Sequence, residues 1–185
     1  MKILIKNVYA FLPDGTTPQT NICIKDDKIT SIGSISDTFA PDHIIDGKNH
    51  FAIPGFINAH THASMTLLRS YADDMELMDW LNQKIWPVEA KMNGMDIYWG
   101  AMLAALEMIQ SGTTTFADMY YFEDEVAKAA ELIGVRGVLG ETVIKNPVAD
   151  AKEPYGGIEY AEKFIKQYKN SELVTPAFAP HAPYT

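Results

Sequence analysis

Apolar and polar residues alternate along the opening stretch of the chain and then give way to longer apolar runs. Ile3 and Ile5 alternate with lysines, and Ile22 and Ile24 precede an Asp26-Asp27 turn into Ile29 and Ile32. A period of two belongs to half-buried strands, so residues 1–50 are predicted to form a small, sandwich-like β-subdomain. From Phe51 the runs are Phe51 to Asn58, Thr113 to Met119, Val135 to Val143 and Leu173 to Ala179. Helix-length segments separate them. Ala101, Ala105 and Met108 share one face between Ile97 and Gln110, with Gly112 just beyond. Val126, Ala130 and Ile133 recur at helical spacing behind an acidic first turn and stop at Gly134, and Ile158, Ala161, Ile165 and Tyr168 repeat the pattern. Buried strands joined by helices form a parallel sheet. The predicted fold class is α/β, with residues 51–185 forming about four βα units of a (βα)8 TIM barrel. A full barrel takes roughly 250 residues, so the chain is expected to be the first, truncated half of one.

Composition narrows the partners. A formal net charge of −9 disfavours nucleic acid and anionic membrane surfaces, which reward clustered Lys and Arg. A small-molecule substrate is the default. The single cysteine, Cys23, cannot form an internal disulfide, which fits a reducing compartment. The start, MKILIKNVYAFL, breaks its apolar run at Lys6 and Asn7 and offers no cleavage site, and no apolar stretch reaches the roughly 20 residues that span a bilayer. A cytoplasmic, soluble protein is expected.

The most informative segment is Phe51-Ala-Ile-Pro-Gly-Phe-Ile-Asn-Ala-His-Thr-His62. A strand's period of two puts His60 and His62 on one face, with Asn58, so both imidazoles can reach one cation. They stand at the carboxyl end of the strand, the rim where barrel active sites are built. The plain alternative is a chance pair among five histidines.

This segment, with GTTTFADMY at Gly112 to Tyr120, resembles the amidohydrolase superfamily of metal-dependent hydrolases in order and spacing, over essentially the whole chain. ADDMELMDWLNQKIWPVEA, from Ala72 to Ala90, and the terminal APHAPYT are similar to segments of the methylthioadenosine and adenosylhomocysteine deaminases and their chlorohydrolase relatives. The resemblance implies that His60 and His62 bind one divalent metal, zinc with iron as the alternative. It implies that Glu89 accepts hydrogen bonds from ribose hydroxyls, as a carboxylate suits two vicinal hydroxyls. His181 would hydrogen-bond the purine ring, and Trp80 would wall the nucleoside pocket. The alternatives are a solvated glutamate at a helix end, a strand-end histidine bonded to backbone, and a core tryptophan. Trp86 and Trp99 are assigned to packing, His43 and His50 to the surface, and Asp118 to a loop amide.

The implied reaction is hydrolytic deamination of an adenine nucleoside: 5'-methylthioadenosine, S-adenosylhomocysteine or adenosine. In the resembled family the remaining metal ligands and the acid/base group come later, so none is expected before Thr185 and the chain alone is expected to be inactive. Glu141, at the end of the third run, is read as an anion that would repel the carboxylate of adenosylhomocysteine, favouring methylthioadenosine or adenosine. Two other readings are kept: a chlorotriazine, guanine or cytosine hydrolase on the same scaffold, and a non-catalytic barrel module. A homo-oligomer is compatible with either.

Overall fold

The computed structural model describes residues 1–183 and 185; Tyr184, within the APHAPYT segment, lies outside the described residues. The chain divides into two compact units, Met1–Pro54 and Gly55–Thr185. In the first, β1 (Lys2–Ala10) pairs antiparallel with β2 (Gln19–Lys25), which pairs antiparallel with β3 (Lys28–Ile32). β4 (His43–Asp46) and β5 (Phe51–Ala52) both run parallel to β1, making one mixed sheet. Val8, Ala10 and Ile22 form its small core. Cys23 is buried and free.

Phe51 to Asn58 was expected to be one strand and is not. Phe51 and Ala52 belong to the first sheet, and the next strand starts only at Phe56. Pro54 has no amide hydrogen to give a ladder, so pairing ends before it and resumes after Gly55.

The second unit is α/β. Its sheet is β6 (Phe56–Thr61), β7 (Thr113–Tyr120), β8 (Arg136–Val143) and β9 (Val174–Pro180), all parallel and in chain order. A 3-10 turn, Ala63–Leu68, follows β6. Then α1 (Leu77–Trp80), a π-helical turn (Leu81–Ile85) and α2 (Trp86–Glu89) run on as one helical stretch. The longest helix, α3 (Gly94–Gln110), starts three residues before the expected Ile97 because Asn93 and Asp96 form a reciprocal capping box. α4 (Glu123–Ile133) ends at Gly134 with φ +86°, and α5 (Gly157–Tyr168) precedes β9. Small faces on α3 (Ala101, Ala104, Ala105) and α4 (Ala127, Ala130) let the helices lie close over Phe116 and Leu139. Among the described residues no helix is long and apolar enough to cross a membrane.

One feature of this core is unusual chemistry. Glu123, Glu141 and Asp150 are gathered where α4 begins, with Glu123 and Glu141 both fully buried. The Asp150 carboxylate accepts the Phe122 N–H at 2.6 Å, and Glu141 Oε2 accepts the Glu123 N–H at 3.2 Å. Both oxygens of Glu123 and one each of Glu141 and Asp150 meet no donor among the described residues. Burial, and then the neighbouring Asp150, push the Glu141 carboxyl from 4.5 up to about 10, so it is a neutral acid at ordinary pH.

Unfolded, Glu141 loses its proton near 4.5; folded, only near about 10. Between these values the folded state holds the extra proton, so stability falls as pH rises, by at most about 1.4 kcal/mol per pH unit for one group. Glu141→Gln keeps the shape and removes this slope. Urea denaturation at about pH 5 and about pH 8 is expected to show the variant gaining on the parent at the higher pH.

Candidate active site

The end of β6 is held by the end of β7. Asp118 is 6% exposed, and its two carboxylate oxygens accept the Ala63 N–H at 3.0 and 3.2 Å. Oδ1 also accepts the Met119 N–H at 3.0 Å. Burial raises the Asp118 pKa to about 7, against the lowering effect of these amides. Asp118 therefore holds a loop amide, as its place at the strand end suggested.

His62 follows β6 directly, and its Nδ1 lies 2.7 Å from the Met119 carbonyl oxygen. A carbonyl can only accept, so Nδ1 carries the proton and Nε2 keeps its lone pair for a ligand. The His60 and His62 ring centroids are 5.2 Å apart at 76°, on one side of the strand. The turn after them is seated on α3: Ser64 Oγ donates to the Ile97 carbonyl at 2.9 Å and Thr66 Oγ1 to the Gly100 carbonyl at 2.7 Å. A Cβ at Gly100 would stand 2.4 Å from the Ser64 carbonyl oxygen, so only glycine permits this approach.

The helical stretch from Leu77 supplies the opposite wall. A π turn separates Trp80 from Trp86, and Trp80, Ile85, Trp86 and Glu89 line one cavity. Trp80 is anchored by its Nε1–H, which donates to the Ala72 carbonyl at 3.1 Å. Glu89 is only 6% exposed, and Tyr120 donates its hydroxyl to Glu89 Oε1 at 2.7 Å. Burial pushes the Glu89 pKa up and this hydrogen bond pulls it back. Glu89 is thus no solvated surface glutamate.

His181 reaches the same cavity from beyond β9. Its N–H donates to the Val143 carbonyl at 3.1 Å, and its Nδ1 lies 2.8 Å from Thr185 Oγ1. Burial and then the nearby His62 lower its pKa, favouring the neutral ring.

His62, Trp80, Glu89 and His181 therefore line one cavity of about 90 Å³, with His60 beside His62 but outside the lining. A larger cavity of about 240 Å³ lies across Glu89, and Trp86, Glu89 and Tyr121 border both. His43 and His50 are exposed in the first unit.

Three expectations need correction. Trp86, assigned to packing, lines both cavities, since it stands one helical turn before Glu89 in α2 and shares its face. Trp99, also assigned to packing, is 58% exposed, since the buried face of α3 runs through Ile97, Ala101 and Ala105 and leaves position 99 outside. Glu141, read as an anion facing substrate, is fully buried beside Leu139 and α4 and is protonated. It exerts no repulsion on a substrate carboxylate.

Tyr120, Met119 and Thr142 also shape the cavity and were not singled out in the sequence. A hydroxyl at a strand's last position is a signal for Tyr120. Met119 contributes a backbone carbonyl to His62, which no side chain advertises.

The donor set fits a metal in part. Zinc–nitrogen bonds of about 2.0–2.1 Å at a tetrahedral angle place two imidazole centres about 5 Å apart, matching the 5.2 Å found. Among the described residues no group of three or more His, Cys, Asp or Glu side chains converges as a full metal shell.

Residues 51–185 match the model of the amidohydrolase family, and the chain belongs to that family. It is 47% identical over 190 residues to a 5-methylthioadenosine/S-adenosylhomocysteine deaminase of Thermoanaerobacter pseudethanolicus, with 100% of this chain matching 44% of that protein. A 5'-deoxyadenosine deaminase of Methanocaldococcus jannaschii is 46% identical over 186 residues, with 99% of this chain matching 43% of that one. The crystal structure of an adenosine deaminase from Xanthomonas campestris with bound zinc superposes with a TM-score of 0.92 at 34% identity, covering 99% of this chain and 43% of that chain. The chain thus spans less than half the length of these relatives.

Asp118 is the test of how the site is held. Asp118→Asn replaces one of the two oxygens that meet the Ala63 amide by a donor, removes the negative charge, and is expected to destabilise the fold by about 1–3 kcal/mol. Urea denaturation at neutral pH measures this.

Proposed function

We propose that this chain is the N-terminal part of a metal-dependent hydrolytic deaminase of adenine nucleosides. The observation that carries the reading is the convergence of His62, Trp80, Glu89 and His181 on one cavity at the carboxyl ends of parallel strands, with His60 beside it. In support, relatives 46–47% identical across this chain bear the names of deaminases of 5-methylthioadenosine, S-adenosylhomocysteine and 5'-deoxyadenosine.

In this reading the four parallel strands are half of a (βα)8 barrel, and the sheet of residues 1–54 is one layer of a sandwich-like subdomain. His60 and His62 hold one divalent metal, zinc by preference, with iron as the alternative. Two imidazoles fall short of the three protein ligands of a catalytic zinc; the remainder, with the acid/base group, comes from outside residues 1–185. When bound, the metal supplies hydroxide at neutral pH by acidifying water.

The chain's own residues bind and orient the nucleoside. Glu89 accepts the vicinal ribose hydroxyls, and the neutral His181 ring hydrogen-bonds the purine. Trp80 covers the base with an apolar wall. The cavity across Glu89 receives the 5' substituent, so methylthio, homocysteinyl and unsubstituted nucleosides all fit the reading. Water adds at C6 of the adenine and the amino group leaves as ammonia. The free, buried Cys23 fits a cytoplasmic setting.

Loss of the adenine absorbance band tests the proposal. Full-length zinc-loaded protein is expected to convert 5'-methylthioadenosine or adenosine to its inosine analogue, and residues 1–185 alone to convert neither. His62→Ala is expected to reduce turnover to background and to lower bound zinc by elemental analysis. Undiminished deamination by that variant refutes the assignment.

A further inference from the structure

Glu89 is a buried carboxylate with no cation paired to it among the described residues, a setting that ordinarily favours the protonated acid. A protonated carboxyl would present a donor on one oxygen and serve two vicinal hydroxyls poorly. What faces it is Tyr120, 4% exposed, whose hydroxyl donates to Oε1 at 2.7 Å. Oε2 accepts no hydrogen bond among the described residues, and Glu89 lines the cavity.

The phenol is itself held in place. Tyr120 is the last residue of β7, its ring lies 5.1 Å from that of Tyr121, and it stands 6.3 Å from the His62 ring. Its backbone directly follows Met119, whose carbonyl orients His62.

We propose that Tyr120 is a positioning residue for sugar recognition: its hydroxyl occupies Glu89 Oε1 and fixes the carboxylate so that Oε2 is presented to the vicinal hydroxyls of the nucleoside. The inference rests on Glu89 being the sugar contact. Tyr120 touches no reacting atom in this scheme. Its contribution is to pull the carboxyl back toward its ionised form against burial and to hold it in one rotamer.

The test compares adenosine with 2',3'-dideoxyadenosine in the full-length enzyme. Tyr120→Phe is expected to lower kcat/KM for adenosine by roughly tenfold, the size expected for one hydrogen bond to a charged group. The loss is carried by KM, with kcat and bound zinc unchanged. The dideoxy analogue, which lacks the hydroxyls, is expected to change less than about twofold. Glu89→Ala is expected to show the same selectivity, and Tyr120→Phe added to it is expected to cause no further loss. An equal loss on both nucleosides in Tyr120→Phe means a merely structural role and overturns the proposal. If Glu89→Ala itself fails to discriminate, the assignment of Glu89 to the sugar is what fails. Should Tyr120→Phe not fold, 3-fluorotyrosine at position 120 keeps the ring and acidifies the phenol. A KM shift confined to adenosine then supports the proposal, and no shift rejects it.

Discussion

The carboxylate of Asp118, buried between two parallel strand ends, takes the Ala63 amide that would otherwise have no partner where β6 turns into its 3-10 segment. Parallel strands leave their last amides and carbonyls unpaired at the carboxyl rim, and a charged acceptor satisfies such an amide more strongly than a neutral one. The next residue, Met119, uses its carbonyl on the His62 ring, and the one after, Tyr120, uses its hydroxyl on Glu89. Three consecutive residues of β7 thus each hold a different part of the cavity: the turn, the imidazole and the carboxylate. Asp118 and Tyr120 share one face of the strand and reach successive neighbours along it, while Met119 between them contributes main chain.

Much of this architecture is legible in the chain. The runs from Thr113, Val135 and Leu173 coincide with β7, β8 and β9 to within a residue or so, because strands covered by helices leave long apolar signatures. The helices at 123–133 and 157–168 carry the apolar spacing that marks one buried face. The split of Phe51 to Asn58 was harder, since an apolar run says nothing about which sheet each half joins, and only Pro54 hints at the break. The stretch from Leu77 to Glu89 was recognisable by resemblance and not by period, because a π turn interrupts the 3.6-residue repeat. Met119 was invisible as a contributor, since its role is borne by main chain.

The acids behind α4 illustrate a different limit. Formal charge counts treat Glu123, Glu141 and Asp150 as three negative charges, yet in a low-dielectric cluster without cations they cannot all ionise. The helix N-terminus and the Phe122 and Glu123 amides supply part of the compensation, and protons supply the rest. Phe122 takes up a left-handed backbone, φ 53°, at that junction, a strained choice for a bulky residue. Its amide donates to Asp150 and its ring packs edge-on against Tyr160, 6.2 Å away, so the strain is held by contacts on both sides.

The neutrality of Glu141 changes where substrate selectivity must be sought. An anion at the end of β8 would have screened out carboxylate-bearing substrates by charge; a buried, protonated acid on the helix side cannot. What borders the proposed 5' position is the cavity lined by Glu89, Tyr121, Ile144, Asn146, Pro147 and Val148, which sets a carboxylate, a phenol and an amide among apolar side chains. Lys152 lies close by but gives its ammonium to the Val148 carbonyl at 3.2 Å. In the proposed reading, discrimination among 5' substituents at this wall depends on apolar fit, on the Glu89 carboxylate and on whether that lysine exchanges a backbone partner for a ligand. A missing methylene in an apolar pocket shifts binding by about 1–3 kcal/mol, so apolar fit ranks 5' substituents by degree, and any selection by charge falls to Glu89 and Lys152.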